Sequence, residues 1–175
     1  MKATGIVRRI DDLGRIVIPK EIRRTLRIRE RDALEIFTDR DGEVILKKYS
    51  PIADLEDFAQ EYADSLFEST GHVALITDRD AYIAVAGTGR KAFLGKSLPE
   101  ELAEAMEARR PFLSQTAGYQ LPIQGFEEAS QVLVPIVHDG EVVGSVILLS
   151  KEKTLGDLET TLCQTAADFL AKQLG

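Results

Sequence analysis

The balance of charge reverses near residue 50, and that reversal constrains the fold more than any local motif. Residues 1–50 carry 13 Lys+Arg against 9 Asp+Glu, a net of +4, whereas residues 51–175 carry 9 against 20, a net of −11. A whole-chain charge of −7 conceals both values. Such a split places two opposite electrostatic surfaces on one chain. Ser50-Pro51 marks the joint, because serine favours a helix cap and proline fits a first helical position. The expected organisation is a first domain over 1–50, a linker over 51–55 running into helix, and a second domain over 56–175.

With 175 residues, 44% of them apolar and 29% charged, the chain is long enough to bury a real core. No apolar run approaches the about 18 residues of a membrane span. The opening MKATGIVRRIDD lacks the apolar stretch of a secretory signal, so the expected location is the cytoplasm. Cys163 stands alone, which rules out an internal disulfide and a cysteine-based metal cluster. His72 and His138 are too scattered to supply a metal site. Neither cofactor, nor metal, nor catalytic residue is expected.

Local pattern places strands over Ala3 to Ile10 and Arg15 to Ile18, joined by the turn Asp11-Asp12-Leu13-Gly14. Pro19 then opens a short helix with Ile22 and Leu26 on one face. Strands over Ala33 to Thr38 and Glu43 to Lys48 follow, joined by Asp39-Arg40-Asp41-Gly42. The order is β-β-α-β-β. So small a module, with neither disulfide nor metal and with unpaired strand edges, is expected to need a second copy with interleaved hairpins.

Beyond the joint, Ile52, Leu55, Phe58, Ala59, Tyr62 and Leu66 recur at helical spacing, as do Leu155, Leu158, Leu162, Ala166, Phe169 and Leu170. Between these helices lie strands over His72 to Thr77, Tyr82 to Ala86, Gln131 to Val137 and Glu141 to Leu149. An inner helix is expected over Pro99 to Arg109, with Ser97 and Glu100 as a capping box. The fold class is α+β, with a mostly antiparallel second sheet wrapped by helices.

Arg8, Arg9, Arg15, Arg23, Arg24, Arg27 and Arg29 crowd the first thirty residues. On the short helix Lys20 and Arg24 lie four apart, as do Arg23 and Arg27, so like charges repel by a few tenths of a kcal/mol per pair, on the order of one weak surface contact. An external anion relieves that repulsion. Arginine favours planar, bidentate contacts to phosphate or to a guanine edge. A solvated charged face is the plain alternative for any basic run. A module too small for enzymatic chemistry, with its charges bracketing a turn and one helix, favours nucleic acid instead. One short helix leaves no room for a helix-turn-helix, and no zinc-finger spacing exists, so a strand-and-turn reader of double-stranded DNA is expected.

The run Gly5-Ile6-Val7-Arg8-Arg9-Ile10-Asp11, then Leu13-Gly14-Arg15-Ile16-Val17-Ile18-Pro19 and Glu21-Ile22-Arg23, resembles the AbrB-type swapped-hairpin DNA-binding domain. With its long acidic continuation the whole chain resembles the stage V sporulation protein T family of transcription regulators, whose second domain is of GAF type. That resemblance implies a cytoplasmic homodimer through residues 1–50 that assembles into a homotetramer through the GAF-like domain helices. It also implies activation and repression of late sporulation genes in the forespore. By matching positions, Arg8, Arg15, Arg23 and Arg24 contact DNA, with Arg9 and Lys2 as further candidates. Arg31 departs from the pattern, because relatives tend to place glycine in the middle of that turn, where a Cβ resists a left-handed backbone.

Other motifs carry less. Gly89 to Ser97 resembles a phosphate-binding loop, but five residues separate Gly89 from Gly95 where four are needed. Gly144-Ser145 lacks the second glycine of a nucleophile elbow. Both histidines are expected to be solvated, and Cys163 is expected to be packed and inert. The GAF-like fold does not name a ligand. An apolar cleft with Tyr82, Phe93, Phe112 or Tyr119 as walls and Gly87 to Gln124 as lid is the expected place for an unknown small-molecule effector; pure oligomerisation is the competing role. Three alternatives to the regulator remain: an antitoxin-like partner-binding protein, a GAF-regulated metabolic repressor, and a GAF-fold enzyme such as a sulfoxide reductase. The last would need reactive cysteines that the chain lacks.

Overall fold

The computed structural model describes residues 3–115 and 118–175, and its chain divides into two compact units, Met1–Tyr49 and Ser50–Gly175. In the first unit, helix α1 (Lys20–Thr25) precedes strands β1 (Leu34–Thr38) and β2 (Val44–Lys48). The two strands pair antiparallel from Leu34↔Lys48 to Thr38↔Val44. Asp39 closes their turn, its Oδ1 accepting from the Asp41 and Glu43 N–H groups at 3.0 and 2.8 Å. Pro19 is the N-cap of α1 rather than its first helical residue, and Arg23 N–H donates to its carbonyl.

The strands expected over Ala3 to Ile10 and Arg15 to Ile18 are not formed in this single chain, although the turn between them is. A strand is defined by the ladder it joins, and these segments meet no second edge within the described residues. Their apolar side chains stay in solvent: Val7 is 83% exposed, Ile10 71% and Val17 70%. The module therefore shows one helix and two ladder strands where β-β-α-β-β was expected.

The second unit opens on a 3-10 turn, Pro51–Leu55, that leads into α2 (Glu56–Thr70). The segment 51–55 is thus packed structure rather than linker, because apolar Ile52 is fully buried and Leu55 packs beside it. Ser50 supplies no side-chain cap; its hydroxyl meets Asp78 Oδ2 at 3.1 Å instead. Then come β3 (Val73–Asp78), β4 (Tyr82–Ala86), α3 (Arg90–Phe93), α4 (Glu100–Glu107), β5 (Phe112–Ser114), β6 (Ser130–His138), β7 (Glu141–Ser150) and α5 (Asp157–Gln173). The five strands form one sheet in the order β4-β3-β7-β6-β5, with antiparallel neighbours.

Both faces of that sheet are covered, which is why β6 and β7 read as nearly continuous apolar runs rather than alternating ones. On one face Ala59, Ala63 and Leu66 of α2 and Cys163, Ala166, Ala167 and Leu170 of α5 pack on Ala74, Ile76, Val132, Val134, Val146 and Leu148. On the other, Leu98, Leu102, Met106, Leu121, Ile123 and Phe126 cover Leu75, Val85, Leu133, Ile147 and Leu149. Each large side chain buried there contributes about 2 kcal/mol. Buried Gln131 ties the second cover down, accepting from Leu121 N–H at 2.7 Å and donating to the Leu121 and Phe126 carbonyls at 2.9 and 3.0 Å.

Several local expectations need correction. Helix α4 starts after Pro99 without a side-chain cap, so Ser97 and Glu100 form no capping box. The segment from Gly87 to Gln124 is not a simple lid, for it contains α3, α4 and edge strand β5, whose three residues are too few to leave a periodic signal. His72 is buried rather than solvated, its Nε2 3.7 Å from Glu159 Oε1. His138 is half-buried, with Nδ1 3.1 Å from the Ala171 carbonyl.

Candidate nucleic-acid interface

The Asp11 to Gly14 turn organises the basic residues of the first unit. Asp11 Oδ1 accepts from the Leu13 and Arg15 N–H groups at 3.0 and 2.7 Å, and its carbonyl accepts from Gly14 N–H at 3.1 Å. Gly14 adopts φ +74°, the left-handed geometry that glycine enters without strain. Arg8 and Arg9 precede this turn and Arg15 leaves it; all three are exposed. Arg23 and Arg24 are exposed on α1.

The guanidinium groups differ in what already holds them. Arg15 Nε lies 2.8 Å from Asp11 Oδ2, an exposed ion pair that fixes its orientation. The Arg15 N–H first, and its side chain second, hold the Asp11 carboxyl below the usual carboxylate range. Arg23 donates Nε to the Ile18 carbonyl at 3.1 Å, and Arg8 donates Nη1 to the Val7 carbonyl at 3.1 Å. Among the described residues Arg8, Arg9, Arg23 and Arg24 form no ion pair with a carboxylate. A guanidinium held through Nε by a neutral carbonyl keeps its full charge and its terminal nitrogens for an outside anion. Lys2 lies outside the described residues.

Sequence reasoning missed Asp11 as the partner of Arg15, though an aspartate ahead of a glycine turn with an arginine at the fourth position was its signal. It also missed the pin beneath α1, where Lys48 Nζ donates to the Arg27 carbonyl at 2.8 Å and sits 3.5 Å from Asp32. Arg31 adopts φ 69°, so the turn keeps the glycine-like backbone despite its Cβ.

In the second unit, Tyr82 and Phe93 are buried and meet edge to face at 5.2 Å, while Phe112 and Tyr119 pair separately at 6.3 Å. Tyr82, Phe93, Ser97, Pro99, Pro122 and Gln124 line a cavity of about 290 Å³. Phe112 and Tyr119 are not among its walls. Cys163 is buried, and burial first, with the Glu159 charge second, pushes its thiol up to about 12. Among the described residues no three His, Cys, Asp or Glu side chains are grouped to hold a metal ion, and no helix is long and apolar enough to cross a membrane.

Residues 54–175 match the family model described as stage V sporulation protein T C-terminal, transcription factor, and residues 7–54 match that described as antidote-toxin recognition MazE, bacterial antitoxin. Stage V sporulation protein T of Bacillus subtilis is 57% identical, over 99% of this chain and 99% of its own. The chain belongs to the stage V sporulation protein T family. That family is one of transcription factors, not enzymes. The first unit is of AbrB type: the transition state regulatory protein AbrB of Bacillus subtilis is 67% identical over 51 residues, which are 29% of this chain and 52% of that protein. The second unit has the GAF fold, as in the GAF domain of an Acinetobacter phosphoenolpyruvate-protein phosphotransferase (TM-score 0.58, 14% identity, 70% of this chain and 87% of that one). This member of the stage V sporulation protein T family thus joins a basic AbrB-type unit to an acidic GAF-type one.

Proposed function

We propose that this transcription factor binds double-stranded DNA through Arg8, Arg15, Arg23 and Arg24, assisted by Arg9 and Lys2, in the cytoplasm of a sporulating cell. It works as a homodimer through residues 1–50 and as a homotetramer through α2 and α5, activating some late forespore genes and repressing others. The observation that carries the reading is the set of exposed guanidinium groups on one small unit, of which Arg8, Arg9, Arg23 and Arg24 form no ion pair among the described residues while Arg15 is oriented by Asp11. Support for the dimer comes from Val7, Ile10 and Val17, apolar residues of β-forming sequence that a second copy would cover while completing the missing ladders. A small-molecule effector acts in this scheme by favouring one assembled arrangement over another.

Gel shifts of the full chain at two salt concentrations test the proposal. If each protomer neutralises three or four phosphates, the log–log salt slope for a dimer is about −5 to −7. Arg23→Ala should flatten that slope by roughly 1.8, one phosphate per protomer. A slope near zero overturns the electrostatic reading. A second reading, capture of another protein as an antitoxin does, is favoured by the match of residues 7–54 to an antitoxin family. It predicts a stoichiometric protein co-purifying with the chain and lost on deletion of residues 1–50.

A further inference from the structure

A second depression in the GAF-type unit lies at the end of the sheet where β3 begins and β4 and β7 finish. Its volume is about 420 Å³, within the range of small-molecule sites. The walls include His72, Thr88, Phe126, Ser150, Lys151 and Lys153. It shares none of the walls of the Tyr82 cavity.

The chemistry of these walls is rich in donors. Thr70, also in the wall, is saturated: its hydroxyl donates to the Leu66 carbonyl at 2.6 Å and accepts from His72 N–H at 3.1 Å. Ser150 Oγ accepts from Lys153 N–H at 3.0 Å, and its proton has no acceptor among the described residues. The Thr88 hydroxyl has no partner among them either. Lys151 Nζ stands 4.7 Å over the Phe126 ring, and Lys153 forms no ion pair among the described residues. The opposing charges are Glu152 on the rim, Glu159 3.7 Å from His72, and Glu127, whose carboxyl is lowered first by hydrogen bonds from its own and the Gly125 backbone N–H and last by the Lys151 charge. Two ammonium groups and two free hydroxyls suit a ligand that only accepts. Such a cluster stands out in a segment whose net charge is −11.

A path leads from this depression to α5. His72 is only 7% exposed, lines the wall, and has Nε2 3.7 Å from Glu159 Oε1. Glu159 Oε2 in turn accepts from Gly156 N–H at 2.8 Å, fixing the first turn of α5. A ligand that contacts the His72 side chain therefore bears on its approach to Glu159 and, through Glu159, on the first turn of α5.

We infer that this depression is an effector site for a small organic dianion, gripped by Lys151, Lys153, Ser150 and Thr88 and reported to α5 through His72 and Glu159. The ligand carries carboxylate or phosphate groups and sets a short apolar body against Phe126, Val73 and Leu149. This goes beyond the DNA-binding reading and stands or falls separately from it.

Backbone NMR titrations of the full-length protein at constant ionic strength provide the test, with malonate and inorganic phosphate as probes. Saturable shifts centred on Thr88 and Ser150 to Lys153, accompanied by shifts in Asp157 to Thr160, are the expected result. The stronger probe identifies the ligand's acid group. A Lys151→Gln/Lys153→Gln double variant should bind at least tenfold more weakly, while Lys91→Gln/Lys96→Gln, on exposed residues outside the depression, should bind as before. His72→Gln should retain the shifts around Lys153 and lose those in α5. Absence of saturation below 10 mM, on the order of the weakest affinities that matter for a metabolite, overturns the site, as does equal loss in both lysine pairs. Shifts in α5 that persist without His72 overturn the path. Operator binding by gel shift reads the first unit independently of either outcome.

Discussion

One carboxylate performs two tasks in the first unit: Asp11 Oδ1 receives the Arg15 N–H at 2.7 Å while Asp11 Oδ2 holds the Arg15 guanidinium at 2.8 Å. The turn and the direction of its arginine are therefore set together. Asp11→Asn keeps an acceptor for the backbone and removes the charge, so the turn survives and Arg15 is released. DNA affinity at low salt should rise about two- to fivefold, since one negative charge per protomer leaves the interface. Asp11→Ala should lower both the melting temperature and the affinity. Acid acts like Asp11→Asn on the ion pair, removing the charge and keeping an acceptor: a carboxyl depressed in the folded state stabilises fully above its ordinary value of 3.8, and that contribution fades as pH falls through the lower folded value. Thermal melts of wild type and Asp11→Asn between pH 5 and pH 2, roughly spanning that titration, should differ in slope.

At Arg31 the backbone has φ 69°, where a side chain with Cβ is strained by about 1 kcal/mol. Arg31→Gly should stabilise the first unit by up to about that amount, the gain reduced by glycine's larger unfolded-state entropy. Chemical denaturation read through the midpoint with an unchanged m-value checks it. A fall in stability would mean that the Arg31 side chain supplies a compensating contact.

Much of the second unit was legible because its signals are long or sharply bounded. Helices α2 and α5 repeat an apolar spacing over enough residues to fix their type, while strands β3, β4, β6 and β7 read as short apolar runs bounded by turn residues. Strand β5, three residues at an edge, leaves no such trace. Buried His72 meets Glu159, far away in sequence, and no local pattern encodes that pairing. In the first unit the arginines of the interface were visible as composition, but the bond of Arg15 to Asp11 needed the turn. The strands over Ala3 to Ile10 and Arg15 to Ile18 have strand-forming residues without a ladder, since pairing is a tertiary property and sequence shows only propensity.

Gly144 faces the neighbouring strand so closely that an added Cβ would sit 2.0 Å from the Thr77 carbonyl oxygen. Backbone on both sides leaves little room to shift, because Gly144 pairs with Asp78 of β3 and with Ile136 of β6. Gly144→Ala should cost about 3 kcal/mol and melt the GAF-type unit first. The same substitution should leave the first unit's turn untouched, which NMR of residues 11 to 15 would reveal. A variant as stable as wild type would show that β3 and β7 can spread apart without loss.

The assembly face is best tested where side chains do not also hold the unit's own core. Leu55 packs against the buried cluster, so changing it confuses folding with association. Phe58 and Leu158 are 47% and 68% exposed on the two bracketing helices and serve better. Phe58→Ser with Leu158→Ser removes apolar surface without opening a cavity, and the melting temperature measured at low protein concentration should hold. If the proposed tetramer forms through α2 and α5, sedimentation at micromolar concentration should show the variant as a dimer, because the contact through residues 1–50 persists. Cooperative operator binding should then weaken by roughly tenfold, about 1.4 kcal/mol, while binding to a single half-site is unchanged. A tetramer of undiminished stability would place the association surface elsewhere on the GAF-type unit and remove α2 and α5 from the route between effector and DNA.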